Sequence, residues 1–270
     1  MTTTHALVED DCRDLSFIPD ASVELIVTHP PRLAVKAAGA AAGQLSALTS
    51  YDEYLAQLDL VWKECARVLS PGGIMICVAS TVAHKATELP VAADVQVRAR
   101  RFGMKATRSI RWIEPGDLEP HESMFLGDAN QPCEEPSDWM HEVLVMKGAG
   151  ERASAKPVAE LGSRMAADFY AACSSPVWRV AREDESLHPH SFPLALAERI
   201  VRMFSFAGDT VLDPFAGSGT TNEAAILHGR NSIAVEIEPV HFAKMAGRLA
   251  DARWPEGEIR ITGRQGVRVG

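Results

Sequence analysis

The stretch DTVLDPFAGSGTT, residues 209–221, decides the fold of this chain. It begins as an apolar strand that ends at Asp213, continues through a turn that contains Gly217 and Gly219, and then changes to a helical pattern. Glycines let the backbone turn tightly beside a ligand, and a strand, a glycine turn and a helix in this order are typical of nucleotide-binding α/β sheets. About 20 residues further on, Glu236 follows a second apolar strand, where an acid hydrogen-bonds ribose hydroxyls in such sheets. Together these features predict a site for a ligand that contains adenosine.

The spacing of the glycines indicates which adenosine ligand fits. The turn reads F-x-G-x-G and lacks the third glycine of a dinucleotide-binding fingerprint. It therefore suits a pyrophosphate less than an uncharged adenosine that carries a sulfonium amino acid. We predict S-adenosyl-L-methionine as the cofactor and methyl transfer as the reaction. The alternative is an ordinary tight connection between strand and helix in which Asp213 caps the helix, and the position of Glu236 argues against it.

The composition is typical of a globular protein. The chain has 270 residues, 46% of them apolar and 23% charged, which is enough for one hydrophobic core with a small appended lobe. No run approaches the roughly 18 apolar residues of a transmembrane helix, and the first residues have no secretory pattern, so we expect a cytoplasmic protein. The cysteines lack C-x-x-C spacing, which argues against a disulfide framework and a bound metal; they are Cys12, Cys65, Cys77, Cys133 and Cys173.

Residues 8–150 alternate between short β-branched runs and helical patterns, which favours an α/β architecture. Ser50 and Glu53 have the spacing of a capping box at the start of a helix that ends before a Pro-Gly-Gly turn. The predicted elements of this half are strands at residues 23–31, 74–80, 109–114 and 142–147 and a helix at residues 50–69.

The second half has a different pattern. Residues 148–187 carry mixed charge and no sustained strand pattern, so we interpret them as a small insert or lobe. An amphipathic helix follows with Pro193 in its first turn. After the strand of the glycine turn come a helix to Gly229 and a strand at residues 232–238. From Trp254 onward the chain is polar, and we expect this tail to be peripheral.

The stretch DPFAGSGTT at 213–221 resembles the cofactor motif D-P-F-x-G-S-G-T-T of the amino-methyltransferases that modify adenine N6 or cytosine N4 in DNA, and it matches every fixed position. HPHSFPLALAERIV at 188–201 is similar to the segment that precedes this motif in the family, and DDCRDL at 10–15 is similar to the family's D-C-x-x-x-L. The resemblance covers most of the chain outside residues 148–187. It implies a Rossmann-like, doubly wound α/β sheet that is mostly parallel with one antiparallel strand and a small insert, and S-adenosyl-L-methionine as the methyl donor.

The order of the motifs is permuted, because the strand LIVTHPP that is expected to carry the chemistry comes before the cofactor strand. In the family's fold these two strands are neighbours, so their carboxyl ends share one cleft. The order resembles the subgroup whose target-recognition region follows the catalytic half. It divides the chain into a catalytic half at 1–147, a recognition insert at 148–187, the cofactor half of the same domain at 188–254 and a polar tail at 255–270.

The resemblance also assigns a cofactor site. The residues that it implies are Asp11, Cys12, Thr28, His188, Phe192, Asp213, Pro214, Phe215, Gly217, Ser218, Gly219, Thr220 and Glu236. It places Asp11 and Cys12 near the adenine, Glu236 on the ribose and the glycine turn around the methionine moiety. Alternatively, Cys12 is a packing residue and Asp11 a turn residue.

The family's catalytic motif is Ser or Asp, two prolines and an aromatic residue, and the corresponding residues here are His29, Pro30, Pro31 and Arg32. The exocyclic amine of a base is a weak nucleophile because its lone pair is delocalised into the ring, and the base must be flipped out of the duplex. The catalyst must accept hydrogen bonds from the amine protons and hold the nitrogen in line with the methyl carbon. A neutral His29 and the Pro30 carbonyl could accept these protons, and the planar Arg32 could stack on the base or contact phosphate.

Two interpretations of the changed motif stay open. In one, His29 and Arg32 are substitutes that keep methyl transfer, and activity is lost when the imidazole is protonated, because an imidazolium accepts no hydrogen bond. In the other, the site has lost its chemistry and the fold serves cofactor or partner binding. The sequence also leaves open a methyltransferase that acts on RNA or on a small molecule.

The net charge of −9 requires that a DNA partner meet a locally basic face. The segment VQVRARRFGMKATRSIRW at 95–112 contains no acid, and we predict a phosphate track there, with a solvated helix and loop as the alternative. The residues of this basic strip are Arg98, Arg100, Arg101, Lys105 and Arg108. The insert is short for a recognition region, and a homodimer would supply more surface.

Overall fold

A mixed β-sheet flanked by helices forms the centre of the molecule. The computed structural model describes residues 3–33, 43–79, 82–84, 87–113, 140–155, 157–181, 193–251, 258–261 and 267. The strands in these ranges are β1 (Thr4–Glu9), β2 (Val23–Thr28), β3 (Leu69–Ala79), β4 (Val82–His84), β5 (Thr87–Leu89), β6 (Lys105–Ile113), β7 (Met140–Lys147), β8 (Val177–Arg179), β9 (Thr210–Asp213), β10 (Asn231–Glu236) and β11 (Glu258–Ile261). The helices are α1 (Tyr51–Val68), α2 (Val91–Ala99), α3 (Pro157–Gly162), α4 (Ala167–Ser174), α5 (Leu194–Phe204), α6 (Thr220–Leu227) and α7 (Pro239–Asp251), with 3-10 turns at Leu45–Ala47 and Arg100–Phe102.

The strands follow the order β11-β1-β10-β9-β2-β3-β7-β6-β8. Neighbouring strands are parallel, except that β7 runs antiparallel to both β3 and β6. This confirms the predicted Rossmann-like α/β sheet, mostly parallel with one antiparallel strand. Strands β2 and β9 pair directly, with Leu25 opposite Val211, so their carboxyl ends lie side by side at one edge of the sheet.

Helices cover both faces of the sheet, because the side chains of its central strands alternate between the two faces. On β2, Ile26 packs in one core with α1 and α2, whereas Leu25 and Val27 pack in a second core with α5 and α6. All three side chains are fully buried. The doubly wound arrangement is thereby confirmed, and the two cores fix the position of the end of β2.

Helix α1 begins at its predicted cap, where the Ser50 hydroxyl accepts a hydrogen bond from the Glu53 amide at 3.3 Å. Strand β3 begins at Leu69, earlier than predicted, because the Pro-Gly-Gly segment does not separate the helix from the strand. The Gly72 amide instead donates to the Ala149 carbonyl at 2.8 Å, which ties the start of β3 to the chain that follows β7.

Residues 148–187, which show no sustained strand pattern, contain one short strand. The described part of this insert forms α3, α4 and β8, and β8 extends the sheet beside β6, with Trp178 opposite Trp112. Trp178 and Cys173 are buried in the core beneath α5. A three-residue edge strand carries too short an alternation to be detected from the sequence. The division of the chain and the recognition role of the insert stay predictions.

The polar tail also contributes to the sheet. Residues Glu258–Ile261 form β11, which runs parallel to β1 and places Ile259 opposite His5. This segment of the tail therefore lies at the periphery of the sheet, but as an ordered edge strand. An edge strand pairs on one side only, so a polar composition does not exclude it. Among the described residues, no helix is long and apolar enough to cross a membrane.

Candidate active site

The carboxyl ends of β1, β10, β9 and β2 border a cavity of about 470 Å³. The predicted residues that line it are Asp11, Cys12, His29, Pro30, Pro31, Arg32, Asp213, Pro214, Phe215, Gly217, Ser218, Thr220 and Glu236. The residues expected to bind the cofactor and those expected to act on the base therefore face one cavity. The reason is topological, because β2 and β9 are adjacent and parallel.

Two carboxylates fix the glycine turn from within the protein. The Gly217 amide donates to Glu236 Oε2 at 2.8 Å, and Gly217 has a φ of 52°, a left-handed conformation that favours glycine. The Phe215 amide donates to Asp213 Oδ1 at 3.0 Å, and the Thr221 hydroxyl donates to Asp213 Oδ2 at 2.6 Å. The turn is thus held by hydrogen bonds to the acids that end β9 and β10.

Asp213 lies in an unusual electrostatic environment. Its pKa is raised from the ordinary value of 3.8 to about 7, chiefly by burial and to a smaller extent by the nearby charge of Glu236. The hydrogen bonds from Thr221 and Phe215 lower the pKa but do not offset the burial. A cationic ligand in the cavity would favour the ionised form of this carboxylate.

Two predicted cofactor residues lie behind the cavity wall. Gly219 has a φ of 80°, and a Cβ there would lie 2.8 Å from Met245 Cγ, so this glycine lets α7 approach the turn. Thr28 is fully buried at the end of β2, and its hydroxyl has no hydrogen-bond partner among the described residues. His188 and Phe192 lie outside the described residues.

At the predicted adenine end, Asp11 is engaged by Arg13. The Arg13 Nε donates to both carboxylate oxygens of Asp11 at 2.9 Å, and both side chains line the cavity. Cys12 is buried, and burial raises the pKa of its thiol, so it contributes a neutral wall. The charge of Asp11 is therefore partly neutralised before any ligand binds.

The segment His29–Arg32, which is predicted to carry the chemistry, continues from β2 along the cavity. His29 is half-buried, Pro30 is buried and Arg32 is exposed at the rim. Tyr54 on α1, only 2% exposed, donates its hydroxyl to the Pro31 carbonyl at 3.0 Å. This hydrogen bond fixes the segment against the first core.

Sequence reasoning missed part of the wall. The additional lining residues are Asp10, Arg13, Gly43, Gln44, Leu45, Ser46, Ala216, Thr221, Ile237 and His241. Arg13 adjoins the D-C motif and His241 follows the acid at the end of β10, which are signals that could have found them. The 3-10 turn at Leu45–Ala47 brings Leu45 to the cavity. No group of three or more His, Cys, Asp or Glu in the described ranges could hold a metal ion.

The structure does not bring the basic strip to this cavity. Because β6 runs parallel to β3, Lys105 lies at the amino edge of the sheet, opposite the edge that carries the cavity. Arg98 is paired with Asp59 at 2.6 Å, and Arg101 lies 3.5 Å from the same carboxylate. Arg100, Lys105 and Arg108 are exposed there. Contact of the strip with DNA stays a prediction. Any such contact near Lys105 would lie at the edge of the sheet opposite to the edge that carries His29.

A family comparison agrees with the architecture. Residues 23–246 match the family of DNA methylases that act on adenine N6 or cytosine N4, and the chain belongs to this family. It is an S-adenosyl-L-methionine-dependent DNA methyltransferase, as the motifs predicted, and the comparisons favour this class over an RNA or small-molecule methyltransferase.

Particular relatives cover nearly the whole chain. The protein TTHA0409 of Thermus thermophilus, solved in complex with S-adenosyl-L-methionine, is 31% identical, with a TM-score of 0.72 and coverage of 96% of this chain and 100% of that one. The type II methyltransferase M.MjaI of Methanocaldococcus jannaschii is 28% identical over 88% of each chain. The type II methyltransferase M.MthZI of Methanothermobacter thermautotrophicus is also 28% identical, over 88% of this chain and 74% of its own.

Proposed function

We propose that the cavity at the ends of β2 and β9 is the active site, where a methyl group passes from S-adenosyl-L-methionine to the exocyclic amine of a flipped cytosine or adenine in DNA. One observation carries this proposal: the glycine turn after Asp213 and the segment His29–Arg32 line the same cavity. In-line transfer requires the methyl group and the amine in one cleft, because proximity and alignment supply much of the rate.

The wall of the cavity fits the cofactor. Its volume of about 470 Å³ falls within the range of about 300–1,000 Å³ that is usual for small-molecule sites. The Glu236 carboxylate, 8% exposed, would accept hydrogen bonds from ribose hydroxyls, and Asp11 and Cys12 would adjoin the adenine. Asp213 supplies a buried carboxylate toward a sulfonium, with Phe215 and the adjoining turn beside the methionine moiety. When bound, S-adenosyl-L-methionine supplies an electrophilic methyl group.

His29 and the Pro30 carbonyl would act on the base. A neutral imidazole and a carbonyl each accept a hydrogen bond from the amine, which localises the nitrogen lone pair toward the methyl carbon. The hydrogen bond from Tyr54 to Pro31 holds these acceptors in place. Arg32, exposed at the rim, would stack on the flipped base or contact the phosphate beside it.

A methyl-transfer assay tests the proposal. Purified protein is incubated with S-adenosyl-L-methionine labelled in the methyl group and with duplex DNA, and the digested nucleosides are separated by mass. We expect label in N4-methylcytosine or N6-methyladenine and its loss in His29→Ala. Lys63→Gln, an exposed change on α1, serves as a protein control. Full activity of His29→Ala would contradict the role of His29, and label in RNA alone would contradict the substrate.

We also infer that the protein acts in the cytoplasm as a homodimer. The described cysteines are free and buried, which fits a reducing compartment. Val158 and Leu161 on α3 and Tyr170 on α4 are 62%, 63% and 55% exposed, an apolar surface of the kind that associates. Sedimentation of Leu161→Glu should show monomers where the parent protein shows dimers. A parent protein that stays monomeric at all concentrations would contradict the dimer.

A further inference from the structure

A second cavity, of about 300 Å³, lies between the insert and the helices α5 and α6. Arg230 in its wall directly precedes β10, whereas Glu236 of the active site ends that strand. A strand advances about 3.3 Å per residue, so the two residues are roughly 20 Å apart. The second cavity therefore lies at the amino edge of the sheet, away from the cofactor and the catalytic segment.

Three arginines line this cavity together with one histidine. They are Arg164, Arg202 and Arg230 with His228, and no described aspartate or glutamate is part of the wall. Arg164 is exposed, and no described carboxylate pairs with it. The Arg202 guanidinium lies over the Phe169 ring, with Cζ 3.7 Å from the ring centroid. Stacking of this kind orients the planar group and leaves its N–H edges available to a ligand.

The third arginine is built into the floor of the cavity. Arg230 is 2% exposed, and its guanidinium donates to the Ser205 hydroxyl at 3.0 Å, to the Ser205 carbonyl at 2.7 Å and to the His228 carbonyl at 2.5 Å. A guanidinium has five N–H groups, so these bonds leave donors over. Burial lowers the pKa of Arg230 to about 10, and the group therefore keeps its charge at neutral pH.

The pKa of His228 is affected by the positive charges around the cavity. Burial lowers its pKa, and the charges of Arg202 and Arg230 lower it further. Glu198, 3.0 Å from His228 Nε2, acts in the opposite direction and is the carboxylate that faces this ring. The positive charge in the wall thus exceeds the negative charge beside it.

The loop that carries Arg164 is held in position. The Ser163 hydroxyl donates to the Ala159 carbonyl at 2.7 Å and accepts a hydrogen bond from the Ala207 amide at 2.7 Å. A Cβ at Gly162 would lie 3.1 Å from Ala207 Cβ, so the insert and the turn before β9 are in close contact. The cavity is therefore a built concavity rather than a chance grouping of surface side chains.

We propose that this cavity binds a phosphate group carried by a small molecule. Guanidinium groups match the oxygens of a phosphate with paired N–H donors, and three of them around one concavity supply the charge that the dianion needs. A cavity of about 300 Å³ holds a phosphate and part of the molecule that carries it, but does not hold a duplex. The proposal is independent of the function proposed above.

Thermal unfolding with added anions tests it. The protein saturated with S-adenosyl-L-methionine is melted in chloride, sulfate or inorganic phosphate at equal ionic strength. A ligand that binds only the folded protein raises Tm with its concentration. We expect saturable stabilisation by phosphate and by sulfate in the millimolar range. Sulfate is included because it does not change its charge near neutral pH, so its stabilisation of the protein cannot come from titration of the anion.

Matched variants assign the effect to this cavity. Arg164→Gln removes an exposed charge without disturbing a described contact, and we expect phosphate binding to weaken about tenfold, or ~1.4 kcal/mol. Arg179→Gln removes the same charge from β8 and should bind phosphate like the parent protein. Equal Tm values in chloride and phosphate would overturn the proposal, as would an unchanged response in Arg164→Gln.

A measurement of duplex binding distinguishes a phosphate carried by a small molecule from a phosphate of the DNA backbone. Affinity for a fluorescent DNA duplex is measured for the parent protein and for Arg164→Gln at fixed salt. We expect the same duplex affinity for both proteins. Loss of duplex affinity without any response to inorganic phosphate would overturn the small-molecule assignment and make the cavity a contact for the DNA backbone.

Discussion

The glycine turn after Asp213 and the segment His29–Arg32 line one cavity, but they are specified in different ways. The turn depends on backbone geometry, with Gly217 and Gly219 at positive φ and hydrogen bonds to the acids at the ends of β9 and β10. The catalytic segment depends on which atoms accept hydrogen bonds, and several side chains can supply an acceptor at position 29. This difference explains how the motif can keep its cofactor half unchanged while its catalytic half carries His and Arg.

The largest effect should separate the two regions by kinetics. In the proposed mechanism, His29→Ala removes the hydrogen-bond acceptor for the amine of the base, so kcat should fall by about 10²–10⁴-fold, the usual contribution of such a group. The Kd for S-adenosyl-L-methionine, measured by calorimetry, should stay unchanged because the turn is intact. His29→Gln, which keeps an acceptor oxygen, should recover part of kcat. A loss of cofactor binding in His29→Ala would remove the distinction between the regions.

The second prediction concerns the glycine turn and is measured as a loss of unfolding free energy. Gly219→Ala places a Cβ 2.8 Å from Met245 Cγ at a φ of 80°, so both strain and overpacking destabilise the fold, by about 3 kcal/mol together. Urea unfolding followed by circular dichroism measures the loss.

Gly217→Ala is the matched control, because the nearest atom to its Cβ is Phe215 O at 3.9 Å. Only the φ of 52° is strained there, and a smaller loss of about 1–2 kcal/mol is expected. Equal losses in the two variants would show that contact with α7 does not matter.

The third prediction concerns pH. Burial raises the pKa of Asp213 to about 7, so the carboxylate is largely protonated at pH 6 and largely ionised at pH 8. A sulfonium cation in the cavity favours the ionised form, and the affinity for S-adenosyl-L-methionine should therefore rise about tenfold from pH 6 to pH 8, with release of a proton on binding. Calorimetry in buffers of different ionisation enthalpy measures both. For the same group, the unfolding free energy of the free protein should fall as pH rises from about 4 to 7, since the folded state binds more protons.

Asp213→Asn provides the control. It keeps an oxygen that can accept from the Phe215 amide but no longer titrates, so the pH dependence of the cofactor Kd should become flat. A parent protein with a flat profile would mean that the cavity ligand and Asp213 are not electrostatically coupled.

The features that could be predicted from the sequence are those that depend on backbone geometry. Positive φ values demand glycine, so the turn and its strand are visible as a motif, and so are the central strands with their continuous apolar runs. The edge strands β8 and β11 were missed because they are short and pair on one side only.

Side-chain direction accounts for the errors at the site. Successive residues of an extended segment point in opposite directions, so Thr28 is buried while His29, the next residue, lines the cavity. Leu45 reaches the wall from a segment without a motif, and only the packing in front of α1 brings it there. A pattern along the chain specifies strands and turns, whereas these positions depend on tertiary contacts.

The smallest effect tests whether α1 positions the catalytic segment. Tyr54→Phe removes the hydroxyl that donates to the Pro31 carbonyl at 3.0 Å and keeps the buried ring. The net loss of one such hydrogen bond is about 1 kcal/mol. Tyr51→Phe is a matched control on the same helix, because the Tyr51 hydroxyl donates to Asp94 Oδ2 at 2.7 Å, away from the cavity. Both variants should lose similar unfolding free energy.

Their kinetics should differ, because only the hydrogen bond of Tyr54 reaches the catalytic segment. We expect a lower kcat in Tyr54→Phe, with an unchanged Kd for S-adenosyl-L-methionine, and parent kinetics in Tyr51→Phe. Since the two substitutions delete the same group from the same helix, a difference in kcat cannot come from lost stability. Equal kcat values in the two variants would mean that β2 and the prolines position His29 without help from α1.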